Sequence, residues 1–136
     1  MIIKARSIAK GTGSGRLLVS EAPISFLSGV DPASGIIIEE GHPLKGVCIR
    51  DTVLAFPFGK GSTVGSYIIY ALKRNNVAPA ALINAEAEVI IAVGAIMAGI
   101  PMVDNLEGGF SQLRTGVHAT VDGDAGELRL EEPADS

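Results

Sequence analysis

The chain has 136 residues, a net charge of −4, and 47% hydrophobic but only 4% aromatic residues, with no tryptophan. One domain is therefore expected, with a core of Ile, Val, Leu and Ala, burying roughly two thirds of its unfolded surface. A pI of about 5.1 and the absence of any basic stripe argue against a nucleic-acid binder. Mean hydropathy of +0.37 is high for so small a domain, so either a partner or unusually dense packing covers apolar surface. The longest apolar stretch, Val89 to Met102, is broken by Gly94 and Gly99 and falls short of the roughly 20 residues of a membrane span. No signal peptide is evident, and the single cysteine, Cys48, excludes an internal disulfide and fits a reducing cytoplasm.

In chain order, Ile2 to Ile8 alternates as a strand, Lys10 to Gly15 reads as a flexible hairpin turn, and Arg16 to Ser20 as a second strand. The glycine spacing in that turn resembles a dinucleotide fingerprint only faintly, because no helix follows. Val30 to Gly35 carries strong turn chemistry, with Pro32 after Asp31 and a closing Gly35. Ile36 to Glu39 is expected as a short buried strand, Gly41 to Gly46 as a loop with His42 exposed, and Val47 to Arg50 and Thr52 to Phe56 as strand, with Cys48 in the core. Helical spacing predicts one helix from about Ser62 to Arg74 and a second from about Glu86 to Ala98, capped by Gly99 and stopped by Pro101. The second is apolar almost all round and is expected to be buried on more than one side. Ala80 to Ile83 and Val103–Asp104 read as strands, and Val117 to Val121 with Glu127 to Leu130 as a hairpin. The expected organisation is a single domain over 1–130 and a polar tail over 131–136. Its class is α/β, a mixed sheet or barrel-like core with two main helices on one side.

The stretch Phe56 to Ser66 concentrates the candidate chemistry. An apolar strand runs into Gly59-Lys60-Gly61 and then into Ser62 at the start of a helix. Glycines there admit a ligand close to the main chain, and unpaired N–H groups at a helix N-terminus favour an anion. A nucleotide-hydrolase phosphate loop is excluded, because Gly61 separates Lys60 from Ser62 and Leu54 stands where the first glycine belongs. A nucleophile elbow is excluded too, since Ser62 lacks flanking glycines at the right offsets. His42 and His118 lie far apart with no cysteine or carboxylate cluster at ligand spacing, which argues against a metal held by this chain. Asp104, Arg50, His42 and Arg114 are weaker candidates for lining a site.

The ordered set Ser25-Phe26-Leu27-Ser28-Gly29-Val30-Asp31-Pro32-Ala33-Ser34-Gly35, Gly59-Lys60-Gly61-Ser62, Asn84-Ala85-Glu86, Ala95 to Asp104 and Val121-Asp122-Gly123 resembles the small, swivel-domain subunit of the aconitase X family over nearly the whole chain. The resemblance implies a swivelling β/β/α fold and a heterodimer with a large subunit holding an iron–sulfur cluster of the 4Fe–4S class, this chain holding none alone. It also implies a hydro-lyase reaction, dehydration of mevalonate 5-phosphate in an archaeal isoprenoid route, without nucleic acid or membrane. Ser62 would be the proton acceptor, with Lys60, Gly59, Gly61, Thr63, Asp31 and Ser34 against the substrate. Another small hydroxy acid as substrate, and a non-catalytic anion-binding scaffold, are the alternatives.

Overall fold

A computed structural model describes residues 1–60 and 64–131. Its strands are β1 (Ile2–Lys4), β2 (Arg6–Ala9), β3 (Thr12–Val19), β4 (Val53–Phe56), β5 (Ala81–Asn84), β6 (Met102–Asp104), β7 (His118–Asp122) and β8 (Glu127–Leu130). The helices are a single turn, α1 (Phe26–Gly29), and two longer ones, α2 (Gly65–Arg74) and α3 (Val89–Ala98). The strands form one mixed sheet in the order β1-β8-β7-β3-β4-β5-β6-β2.

The long β3 belongs to both halves of that sheet. Thr12 to Arg16 pair antiparallel with β7, while Leu17 to Val19 pair parallel with β4. β4, β5 and β6 continue in parallel, and β4 and β5 are buried along their whole length, which explains their unbroken apolar runs. β1 and β2 are separated only by Ala5 yet occupy opposite edges. The Ala5 N–H donates to the Gly126 carbonyl at 2.8 Å, and the Ser7 hydroxyl donates to the Gly123 carbonyl. The edges are thereby drawn together into a barrel-like closure.

Alternation along the parallel strands builds two cores. Leu18, Leu54, Phe56 and Leu82 face Ile69, Leu72, Ile91 and Ala95 of the helices. Leu17, Val53, Ala55 and Ile83 face Ala119, Val121 and Leu128 of the antiparallel half. The result is the β/β/α layering, with α2 and α3 on one side. They pack closely where Gly94 faces α2: a Cβ there would stand 2.8 Å from Ile69 Cδ1 and 3.2 Å from Ser66 Cα.

Several local expectations are corrected. The first predicted strand splits into β1 and β2, and Thr12 to Gly15 are strand, not hairpin turn, because β2 pairs with β6 while β3 pairs with β7. Ile36–Glu39 and Val47–Arg50 make only isolated bridges, Val30 with Ile37 and Ile36 with Cys48. Cys48 is exposed. His42 is buried, at 6% exposure. Its Nδ1 accepts from the Leu44 N–H at 3.0 Å, which leaves the ring proton on Nε2 to reach the Pro23 carbonyl at 3.2 Å. α3 begins at Val89 because the Glu88 carboxylate caps it, accepting from Ile90 and Ile91 N–H at 3.0 and 2.9 Å. Gly99, at φ 69°, closes it in the left-handed conformation. Contrary to expectation, α3 buries one side only: Val89 is 75% exposed and Ile96 61%.

Candidate active site

The site grows from the carboxyl ends of β4 and β5, where α/β sheets place ligands. Residues following β4 are fastened from two directions. Asn84 is fully buried at the end of β5, and its Nδ2 donates to the Phe56 carbonyl at 3.0 Å, while the Ala85 N–H donates to the Pro57 carbonyl at 3.0 Å. From the other side, the Ile24 N–H donates to Phe58 O at 3.3 Å and the Lys60 N–H to Ile24 O at 3.1 Å. Gly59 is required at this point: any Cβ would collide with the buried Ile91 side chain. Among the described residues, the Asn84 Oδ1 is a buried side-chain oxygen with no hydrogen-bond partner.

Lys60 is half exposed and its Nζ lies 3.3 Å from Glu39 Oε2, so its charge is already partly balanced. Glu39 went unnoticed in the sequence because it sits in an expected strand 21 residues earlier, with no motif to mark it. Glu88 was equally missed, although an acidic residue directly before an apolar helical run is a cap signal. Gly59, Lys60, Gly65, Glu88 and Phe26 surround a cleft of about 80 Å³. A wider, open cleft of about 560 Å³ adjoins it, lined by Pro57, Phe58 and Ala85 to Glu88. Gly61, Ser62 and Thr63 lie outside the described residues.

The other predicted residues are not brought to this place. Asp31 accepts from the Ser34 hydroxyl at 2.7 Å and the Ala33 N–H at 3.1 Å, and these bonds hold its carboxyl below the ordinary aspartate range. Their loop packs at the other end of α2, where Asn75 Nδ2 donates to the Pro32 carbonyl at 2.7 Å. A ten-residue helix separates the two ends by about 15 Å, so Asp31 and Ser34 order their own turn away from Lys60. Asp104 is fully buried, takes a two-pronged bond from Arg6 at 2.8 and 2.6 Å, and accepts the Ala87 N–H at 2.7 Å. All its visible partners are structural. Arg50 pairs with Asp51 at 3.4 Å beside Lys73, again at the far end of α2. Arg114 donates to the carbonyls of Ser111 and Leu113, and His42 is occupied by loop bonds.

The donor set does not fit an iron–sulfur cluster. Such clusters commonly take about four thiolates, whereas this chain has Cys48 alone, and no three His, Cys, Asp or Glu are grouped for a metal among the described residues. No helix among those residues is long and apolar enough to cross a membrane.

The aconitase X swivel-domain family model matches residues 2–130. This chain belongs to that family. The phosphomevalonate dehydratase small subunit of Methanocella arvoryzae is 56% identical over 96% of this chain and 99% of its own length. That of Thermococcus sibiricus is 52% identical over 97% of this chain and all of its own length. The solved aconitase X of Thermococcus kodakaraensis, in its holo-form, superposes with a TM-score of 0.92 at 49% identity, covering 97% of this chain and 99% of that one. The family's swivel fold is thus the fold described above.

Proposed function

We propose that this chain is the small subunit of a phosphomevalonate dehydratase, an enzyme that dehydrates mevalonate 5-phosphate to trans-anhydromevalonate 5-phosphate in the mevalonate route to isoprenoids. The carrying observation is identity of about half or more to several small subunits of that enzyme over nearly the full length of both chains. Completion by a larger partner fits the missing cluster donors: the iron–sulfur cluster of the family is assigned to that partner.

Within this chain, Ser62 is assigned as the proton acceptor, and Gly59, Lys60, Gly61 and Thr63 as substrate-binding residues. The reaction breaks one C–H and one C–O bond: Ser62 takes the proton, the C–H electron pair becomes the new C=C bond, and the hydroxyl group leaves with the C–O pair, so that one water is lost overall. A seryl oxygen basic enough for this needs positive potential nearby. Two sources support the assignment. The α2 N-terminus follows directly at Gly65, worth about 0.3–1 kcal/mol to an adjacent anion. Lys60 stands on the near side of the turn, with Glu39 as the counter-ion it exchanges for an anionic substrate group. Glu88 also lines the cleft, where each of its carboxylate oxygens accepts one of the N–H groups that start α3.

The test is reconstitution with the large subunit, followed by assay on mevalonate 5-phosphate and on unphosphorylated and shorter hydroxy acids. Water elimination that requires the phosphate is expected. Turnover of an unphosphorylated acid in preference would overturn the substrate assignment, and full turnover by Ser62→Ala would overturn the role of Ser62.

A further inference from the structure

Alone among the long elements, α3 carries no polar side chain: it reads Val-Ile-Ile-Ala-Val-Gly-Ala-Ile-Met-Ala. Its inward residues Ile91, Gly94, Ala95 and Ala98 satisfy the core. Outward, Val89, Val93, Ile96 and Met97 stand at i, i+4, i+7 and i+8 and are 75%, 42%, 61% and 46% exposed. On α2, which packs against α3, Tyr67 and Tyr70 are 64% and 38% exposed. Solvated helix faces are polar, and a contiguous apolar face of this kind marks an interaction surface. Interface centres are depleted of charge and enriched in Tyr and Met, as this face is.

We infer that the outer face of α3, with Tyr67 and Tyr70 of α2, is the surface on which the large subunit docks; this rests on the heterodimeric reading above. Continuity with the site favours that occupant over a second copy of this chain. Glu88, which caps α3, lines the cleft with Gly59 and Lys60, so Val89 begins the apolar stripe at the rim of that cleft. Phe58, 48% exposed, extends it along the adjoining cleft. A chain that covers the cleft beside Gly59 and Lys60 therefore meets Phe58 and Val89 first and continues onto α3. A second copy would cover the same rim while supplying no cluster ligands. The size of the face suits a stable complex. Together these seven residues expose on the order of 700 Å², close to the roughly 800 Å² each partner contributes to a standard stable complex. At the far end, Ile96 borders an open, largely apolar cleft of about 430 Å³ formed with Ile8, Ala9 and Gly99. That recess suits an inserted apolar side chain of the partner, the usual shape of an interface anchor.

The test compares the full chain carrying Val89→Glu and Ile96→Glu with wild type, each mixed with the large subunit, by analytical ultracentrifugation. Association about a hundredfold weaker is expected, while circular dichroism and Tm of the chain alone stay unchanged because both positions face solvent. Ile2→Glu, equally exposed on the distant edge strand β1, should bind as wild type. Undiminished association of the double variant overturns the inference. So does wild-type self-association that the substitutions abolish while binding to the large subunit survives. A wild-type pair that assembles through this face yet leaves mevalonate 5-phosphate unchanged would instead sink the substrate reading and leave the docking surface standing.

Discussion

The two ends of α2 differ in how their polar groups are satisfied. At the C-terminal end, the Asp31 carboxylate, the Ser34 hydroxyl, the Pro32 carbonyl and the Asn75 amide bond one another, and Lys73 and Arg74 complement the helix dipole. That loop is saturated by its own chain. At the N-terminal end the described residues are held by main-chain bonds and by a glycine pressed on Ile91, while an ammonium stays half in solvent against a more buried carboxylate. The sequence marks both ends with the same polar and glycine-rich vocabulary. The difference teaches that such a motif is a structural turn where its polar groups are used up among themselves, whereas at the other end the Lys60–Glu39 ion pair keeps its ammonium in contact with solvent.

The largest break in that comparison is expected from Ser62→Ala. Loss of a general base lowers kcat by about 10²–10⁴, and heterodimer assembly should be retained in the same preparation. Next, Gly59→Ala forces a Cβ into Ile91. Overpacking of this kind costs about 1–3 kcal/mol, measurable as a lower denaturant midpoint, and a displaced turn should lower turnover as well. Smaller is Lys60→Met: if the ammonium meets an anionic group of the substrate, KM rises about tenfold, which is about 1.4 kcal/mol, with kcat changed much less. Glu39→Gln should move KM the opposite way, since it frees the ammonium. An equal fall in kcat for both variants would assign the ion pair to holding the turn.

The smallest effect belongs to the saturated end and is sharpened by pH. Asp31 has a carboxyl pKa below its ordinary 3.8, chiefly through the Ser34 hydroxyl and then the Ala33 N–H. A lowered folded-state value stabilises the fold above the ordinary carboxylate range, and that stabilisation is lost as pH falls through the folded value. Ser34→Ala should therefore lower Tm slightly near neutral pH, and the gap from wild type should close below pH 3.8. Activity of the reconstituted pair should be unaffected near neutrality; a specific loss would return Ser34 to the site.

Local patterns in the sequence carried much of the fold. Helical spacing and terminal chemistry located α2 and α3 to within three residues, and Asp122-Gly123 marked the β7–β8 hairpin. Turn chemistry at Asp31 to Gly35 is local as well, so that loop was legible, and Gly59 stands where Ile91 leaves no room for a Cβ. The rest depended on residues far apart in the chain. Nothing local says that β2 pairs with β6 and not β3, or that Glu39 reaches Lys60. His42 is buried by Ser20 to Pro23 packing across it, and Cys48 is exposed because its strand reduces to one bridge. The face of α3 is the clearest case. Its apolar pattern predicts burial on more than one side, but only the packing of α2 and the sheet against Ile91, Gly94, Ala95 and Ala98 decided which side this chain covers. Periodicity and capping are settled within a few residues by backbone geometry, whereas burial is a property of the whole assembled surface.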